Sequence, residues 1–434
     1  MELMPALDQF LAENVKGVSL DAQTILAHVI RPSNSDGVSS DGRSQASTAP
    51  VEPVQLLPAL PYYLDVGAFE LALDNALKDV VAGYVAQLRQ SGQVVFTKTS
   101  KNAKLSQDGS ELWTADVQMH VASVSKLMTA MAMTVLLDDK NISPDDPIID
   151  YLPDYWTKGK NIEYITFRNL FNHTSGLSSN DPVTFYIMQS AIAGGIGLPI
   201  PGVLNLFGLG HYRYQNVNYG LFRILLAVIN GDIKKDTNFS FDQGITDAIW
   251  DLATIRAYEN YLQAKVFQPS GAVNATLDHP SACALAYKGP DDTEAGWNSG
   301  SMQESCGCDG WHLSVNDLLS VMGEFRRGDG ILTSADAAQE MLDNGFGVDP
   351  LSGNSALPTG FPTNAGNVYC KPGDWHDTNT NRDEQSLAFF LPQDMELVVF
   401  VNSMVDGQLG TNNFREVVKQ AYEDSLLPPP THHL

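Results

Sequence analysis

His120-Val-Ala-Ser-Val-Ser-Lys126 places a serine three residues ahead of a lysine, at the head of a run from Ser123 to Leu137 without glycine or proline. Such a run reads as a helix. Positions i and i+3 of a helix share one face, so Lys126 can reach the Ser123 oxygen. A serine hydroxyl is a weak nucleophile until a base takes its proton, and a lysine at this spacing is such a base. The helix N-terminus adds a backbone N–H and the positive end of the dipole where an oxyanion would form. Alone, the spacing is weak evidence: a serine N-cap followed by a surface lysine spells the same letters.

Two further constellations lie far away in the chain. Tyr214-Gln215-Asn216 offers a phenol and an amide. A phenol ordinarily titrates near about 10; neighbouring ammonium groups are expected to lower that and let the phenolate act as base. Asn216 can donate to a substrate oxygen and orient a lysine. Lys371-Pro372-Gly373 reads as a strand edging a pocket, with Lys371 supplying positive charge and Gly373 admitting a substrate backbone. The N–H of Asp374 is the expected second oxyanion donor, and Trp375 extends the same substrate-side surface. His376 is the rival for the polar role of Lys371. Pro372 is unusual on such a strand because it has no N–H.

SxxK, YxN and KxG in this order resemble the penicillin-recognising serine hydrolases, and the Tyr-x-Asn second motif resembles the class C β-lactamase branch. Asp145-Asp-Pro147-Ile-Ile-Asp-Tyr-Leu-Pro153, Ile165-Thr-Phe-Arg-Asn-Leu-Phe-Asn-His173-Thr-Ser-Gly-Leu177, Gly310-Trp311 followed by Ser314-Val-Asn-Asp317, and Val401-Asn402-Ser403 add to the likeness. It covers roughly Tyr62 to Leu427. The resemblance implies an α+β fold, an antiparallel sheet flanked by helices with a mainly helical insert. It also implies acyl transfer by Ser123, Lys126, Tyr214, Asn216 and Lys371, with Gly373, Asp374 and Trp375 at the substrate. His173 is expected to brace its loop rather than react. No metal or organic cofactor is called for.

Apolar spacing supports that architecture. Val66 to Val81 reads as a helix, and Tyr84–Leu88 with Gln93–Thr97 as a hairpin around Gln90-Ser91-Gly92. Ser386–Leu391 with Glu396–Val401 forms a second hairpin, and a helix follows from about Thr411 to Leu426. Residues 62–434 are expected to form the hydrolase domain, with a helical insert at about 138–310. Residues 1–61 read as a helical extension, Pro5 to Ile30, and a linker, 31–61, rich in Ser, Asp, Gly and Pro.

The balance of 26 basic to 51 acidic residues gives a formal charge of −25, which argues against nucleic acid as a partner. Val183 to Gly210 carries no charge, but Pro199, Pro201 and six glycines argue against a membrane span. It reads as an apolar pocket wall or a subunit contact, and homo-oligomerisation through the N-terminal helix is a further expectation. Residues 1–10 lack a basic segment and a long apolar core; a cytoplasmic location is expected, or a periplasmic or secreted one for a processed chain. Cys283, Cys306, Cys308 and Cys370 form no CxxC pair and are expected as buried or semi-buried thiols. The expected activity is a carboxylesterase with β-lactam hydrolysis as a side reaction. The alternatives are a β-lactamase or a DD-peptidase or D-aminopeptidase, and a non-catalytic scaffold on the same fold.

Overall fold

The computed structural model describes residues 3–30, 62–179, 182–198, 208–328, 330–332, 334–350, 360–405 and 414–429. The linker expected at 31–61 and the expected helix start at 411–413 lie outside these residues.

A seven-stranded antiparallel sheet organises the chain. Its strands are β1 (Gly83–Gln90), β2 (Gln93–Lys104), β3 (Glu111–Leu112), β4 (Phe361–Thr363), β5 (Gly366–Asp377), β6 (Arg382–Leu391) and β7 (Met395–Val401), in the order β3-β2-β1-β7-β6-β5-β4. Both expected hairpins are present and their strands run longer than the apolar pattern suggests. Ser91 and Gly92 both take positive φ, 49° and 77°, which suits a two-residue turn whose twist matches the strands. The two ends of the domain meet where β7 pairs with β1.

Strand alternation assigns residues to the two faces. Leu387, Phe389 and Leu391 of β6 join Leu397 and Val399 of β7 on one face, packed against Phe69 and Leu73 of helix Val66–Leu77 and Val418 and Tyr422 of helix Phe414–Asp424. Ala388 and Phe390 with Val398 and Phe400 face the helical lobe. Because both faces are covered, β6 is buried along its whole length and shows no in–out alternation. Helix Val66–Leu77 ends sooner than the spacing suggests; the chain turns there, and Ala82 N–H donates to Ser403 Oγ at 2.9 Å.

The lobe holds helices Ser125–Asp139, Phe185–Gly194, Asn216–Asn230 and Gln243–Leu262. Within the described part of the uncharged stretch, 183–198 and 208–210, Phe185, Met188 and Ile192 go into this core while Tyr186 is exposed; 199–207 lie outside the described residues. Helices Leu3–Asn14 and Ala22–Ile30 pack on the same core through Leu7, Leu11 and Ile25. His28 Nε2 contacts Asp251 Oδ2 at 2.8 Å, and Arg223, with no solvent exposure, donates to Asp251 Oδ1 at 2.6 Å. Among the described residues no helix is long and apolar enough to cross a membrane.

Burial pushes the Asp251 carboxyl up, but Arg223 and His28 together hold it below the ordinary carboxylate range. The pairing therefore stabilises the fold above that range and is lost as pH falls through the depressed value. Asp251→Ala strands a buried guanidinium and is expected to cost about 3–5 kcal/mol at neutral pH. Denaturant melts of both proteins at several pH values check this; the gap should narrow in acid.

Candidate active site

The turn that carries Ser123 is anchored from two sides. Met119–His120 pairs with His312–Leu313. Val121 N–H then donates to Trp311 O at 2.9 Å, and Ser386 Oγ of β6 donates to Val121 O at 2.7 Å. Ala122 follows with a φ of 45°, a conformation that is costly for a residue with a Cβ. A 3₁₀ turn, Ala122–Val124, leads into helix Ser125–Asp139. Ser123 stands on that turn and remains partly accessible.

Lys126 Nζ lies 2.9 Å from Ser123 Oγ and donates to Cys308 O at 2.6 Å. Lys126 is wholly buried, so these contacts replace lost hydration. The loop carrying Cys308 is fixed in turn, because Thr129 Oγ1 on the same helix donates to Gly307 O at 2.7 Å. Gly307 has φ 98°, and a Cβ there would sit 2.8 Å from Tyr219 O; only glycine lets the loop approach so closely.

Tyr214 OH donates to Ser123 Oγ at 2.8 Å from the opposite side. Lys126 Nζ is 5.1 Å from the centre of its ring and Lys371 Nζ 4.8 Å. The expected lowering of the phenol is not what results. Burial raises Tyr214 above its ordinary value by more than the Lys371 charge lowers it, and Asp349 adds to the rise. Tyr214 at neutral pH is a hydrogen-bond donor, not a phenolate.

His173 lies against the Tyr214 ring, centroids 4.4 Å apart, and its Nδ1 accepts from Gln215 N–H at 3.3 Å. Burial, with Lys371 and Lys126 nearby, holds its imidazole well below its ordinary value and so neutral. Its carbonyl accepts from Arg213 N–H at 2.8 Å, and Thr174 O accepts from Gly210 N–H at 2.7 Å. The loop thus clamps the segment that presents Tyr214. Asn216 is buried at the first position of helix Asn216–Asn230.

Lys371, Gly373 and Trp375 fall on the face of β5 that looks toward the lobe, and His376 falls on the other. His376 instead contacts Asp383 through Nδ1 at 2.7 Å, so Lys371 is the residue brought to Tyr214. At Gly373 a Cβ would lie 2.4 Å from Val121 O and 3.1 Å from Ser123 N, so its absence lets β5 abut the Ser123 turn. Asp374 follows with an exposed side chain. Trp375 packs against Ala122 and stacks on Trp297, centroids 6.0 Å apart.

Asp349 was invisible in the sequence. Lys371 Nζ donates to its Oδ1 at 2.5 Å, and Lys371 is 1% exposed. Asp349 N–H donates to Cys370 O at 2.9 Å, which fixes the carboxylate beside β5. Tyr219 was missed too; its hydroxyl donates to Phe171 O at 3.0 Å and accepts from Gly347 N–H at 2.9 Å. No motif marks either residue. The four cysteines are buried free thiols.

Comparison with known proteins accords with this geometry. The beta-lactamase family model matches residues 72–422. "Beta-lactamase-like protein 4" of Dictyostelium discoideum is 26% identical over 256 residues, 53% of this chain and 41% of that protein. The chain thus spans about two fifths of that relative's length. The beta-lactamase/D-alanine carboxypeptidase of Yersinia pestis superposes with a TM-score of 0.58 at 17% identity, covering 83% of this chain and 99% of that one. EstCE1, described as a hydrolase with promiscuous acyltransferase activity, gives 0.56 at 17% identity over 82% and 97%. These likenesses carry the fold, an α+β sheet flanked by helices, and the family match carries the membership: the chain belongs to the beta-lactamase family, a family of hydrolases.

Proposed function

We propose that the protein is a serine hydrolase that forms an acyl-enzyme on Ser123 and acts chiefly as a carboxylesterase on uncharged esters. The observation that carries the chemistry is the double contact at Ser123 Oγ, with Lys126 Nζ at 2.9 Å and Tyr214 OH at 2.8 Å. Hydrogen-bond reach is the first requirement of a general acid or base.

The proton count closes over one cycle. Ser123 Oγ attacks the ester carbonyl as its proton passes to the Lys126 amine. The oxyanion lies between the N–H groups of Ser123 and Asp374. The carbon–oxygen bond to the alcohol breaks, and the leaving oxygen takes the Tyr214 proton. The phenolate so formed is stabilised by the Lys371 and Lys126 charges. Water then attacks the acyl-enzyme and gives a proton to Tyr214. Ser123 Oγ leaves the carbonyl and recovers its proton from Lys126. Asn216 orients the substrate, Gly373 leaves room beside Ser123 N, and Trp375 forms a wall. The raised phenol suits this order, because it keeps Tyr214 protonated until the leaving group needs it.

The preference for uncharged substrates rests on Lys371. Its charge is matched by Asp349 at 2.5 Å, so it offers little to a substrate carboxylate of the kind β-lactams and peptide termini carry. Self-association and the division of the chain at residue 61 belong to the same proposal.

Ser123→Ala is expected to abolish hydrolysis of a short-chain nitrophenyl ester and labelling by a fluorophosphonate, read by mass spectrometry on the Ser123 peptide. Tyr214→Phe should retain the fold and lose about 10²–10⁴ in rate. Full ester hydrolysis by the Ser123→Ala protein would end the proposal, and a parent protein that neither hydrolyses the ester nor takes the label would be left with a scaffold role.

Asp349→Asn frees Lys371. The rate on nitrocefin relative to the neutral ester is expected to rise about tenfold, roughly 1.4 kcal/mol. Since Asp349 raises Tyr214, the same variant should move the limb of the pH–rate profile governed by Tyr214 to lower pH. A D-alanyl amide measured beside them separates esterase from peptidase.

A further inference from the structure

A cluster that takes no part in the chemistry above lies behind the nucleophile strand. Residues Thr276 to Ala284 cross the Met119–His120/His312–Leu313 pair. His312 N–H donates to Thr276 O at 2.8 Å, and Ala284 N–H donates to Gln118 O at 2.8 Å. This crossing brings His279 and Cys283, four residues apart, against His312. One ligand atom from each of the three lies within 4.8 Å of the other two.

The ring orientations are those of ligands. His312 Nδ1 lies 3.3 Å from Thr276 O and its Nε2 lies 2.7 Å from Ser299 Oγ. An Nδ1–H donated to the carbonyl leaves the Nε2 lone pair free to coordinate, the outer hydrogen bond usual for a metal-bound histidine. His279 Nδ1 lies 3.2 Å from the same Ser299 oxygen. Two imidazole nitrogens therefore converge on one point, where a hydroxyl has one proton to give. Next to them, the His120 ring lies 5.3 Å from that of His312, and its buried Nε2 has no hydrogen-bond partner among the described residues. Glu384, at 2.7 Å from His120 Nδ1, adds acidic character beside the cluster.

We propose that His279, Cys283 and His312 bind a first-row divalent metal ion, zinc by the softness of the donor set, with water or Ser299 Oγ in the fourth position. Two imidazoles and one thiolate with an open place suit zinc. Cys283 is a buried thiol donating to Gln118 O at 3.1 Å. On coordination its S–H proton leaves to solvent and a sulfur–metal bond takes its place, with no change of oxidation state. His279 is only partly buried and Ser281 and Ala282 are exposed, which gives the ion a way in. The ion would tie the 276–284 segment to the strand that reaches Ser123 three residues after His120.

The test uses the full-length protein stripped with chelator and titrated with Co(II). The expected result is a thiolate-to-cobalt charge-transfer band in the near ultraviolet that saturates at one equivalent and is displaced by Zn(II). The band should vanish in Cys283→Ala and persist in Cys370→Ala, whose thiol lies on the other side of the sheet. His279→Gln, a change at a partly exposed residue, should weaken Co(II) binding at least tenfold and keeps the test informative if Cys283→Ala does not fold. Zn(II) should raise the melting temperature of the parent protein and not that of His279→Gln. No band in the parent protein, or an unchanged band in Cys283→Ala, overturns the proposal. Both outcomes are independent of whether Ser123 hydrolyses esters.

Discussion

A lysine without access to water governs the centre of this molecule. Lys126 must find its hydrogen bonds inside the protein, because taking a polar group out of water costs several kcal/mol unless partners replace the solvent. Ser123 Oγ and the Cys308 carbonyl are those partners. Each then needs its own support. The Cys308 loop is tied down by Thr129 and admitted by Gly307, and Ser123 is held by a turn bonded to both β6 and Trp311. Much of the lobe can be understood as the enclosure that one amino group requires.

Electrostatic order extends outward from it. Tyr214 lies between two lysines yet stays a phenol, because burial outweighs the Lys371 charge and Asp349 offsets much of that charge. His173, neutral and tilted against that ring, adds packing without a further charge. The arrangement keeps a proton on the Tyr214 oxygen beside Ser123.

The three motifs were legible because they combine reactive residue types with fixed local geometry: a spacing of three brings Lys126 back to Ser123 even though the serine stands on the 3₁₀ turn before the helix. The hairpins were legible from turn residues and apolar runs. Less accessible was anything set by partners distant in the chain. Strand β6 shows no alternation, so its faces are known only from what covers them. The choice between Lys371 and His376 is a matter of which face of β5 meets the lobe, and parity decides it once the strand is placed. Asp349 sits in a stretch with no motif, and its role exists only because β5 passes beside it. The height of the Tyr214 phenol depends on burial, which residue spacing does not disclose. The same holds for His279, Cys283 and His312, which no single segment unites.

The turn that carries Ser123 joins the sheet to the helical lobe. Val121 is bonded to the sheet through Ser386 and to the lobe through Trp311, and Ala122 immediately after it holds a left-handed backbone. Any sliding of lobe against sheet therefore bears on a backbone that already holds a left-handed residue. Ser123 behaves in this sense as a mechanical fuse: its alignment depends on a rigid-body fit between two packed layers rather than on the stability of either one.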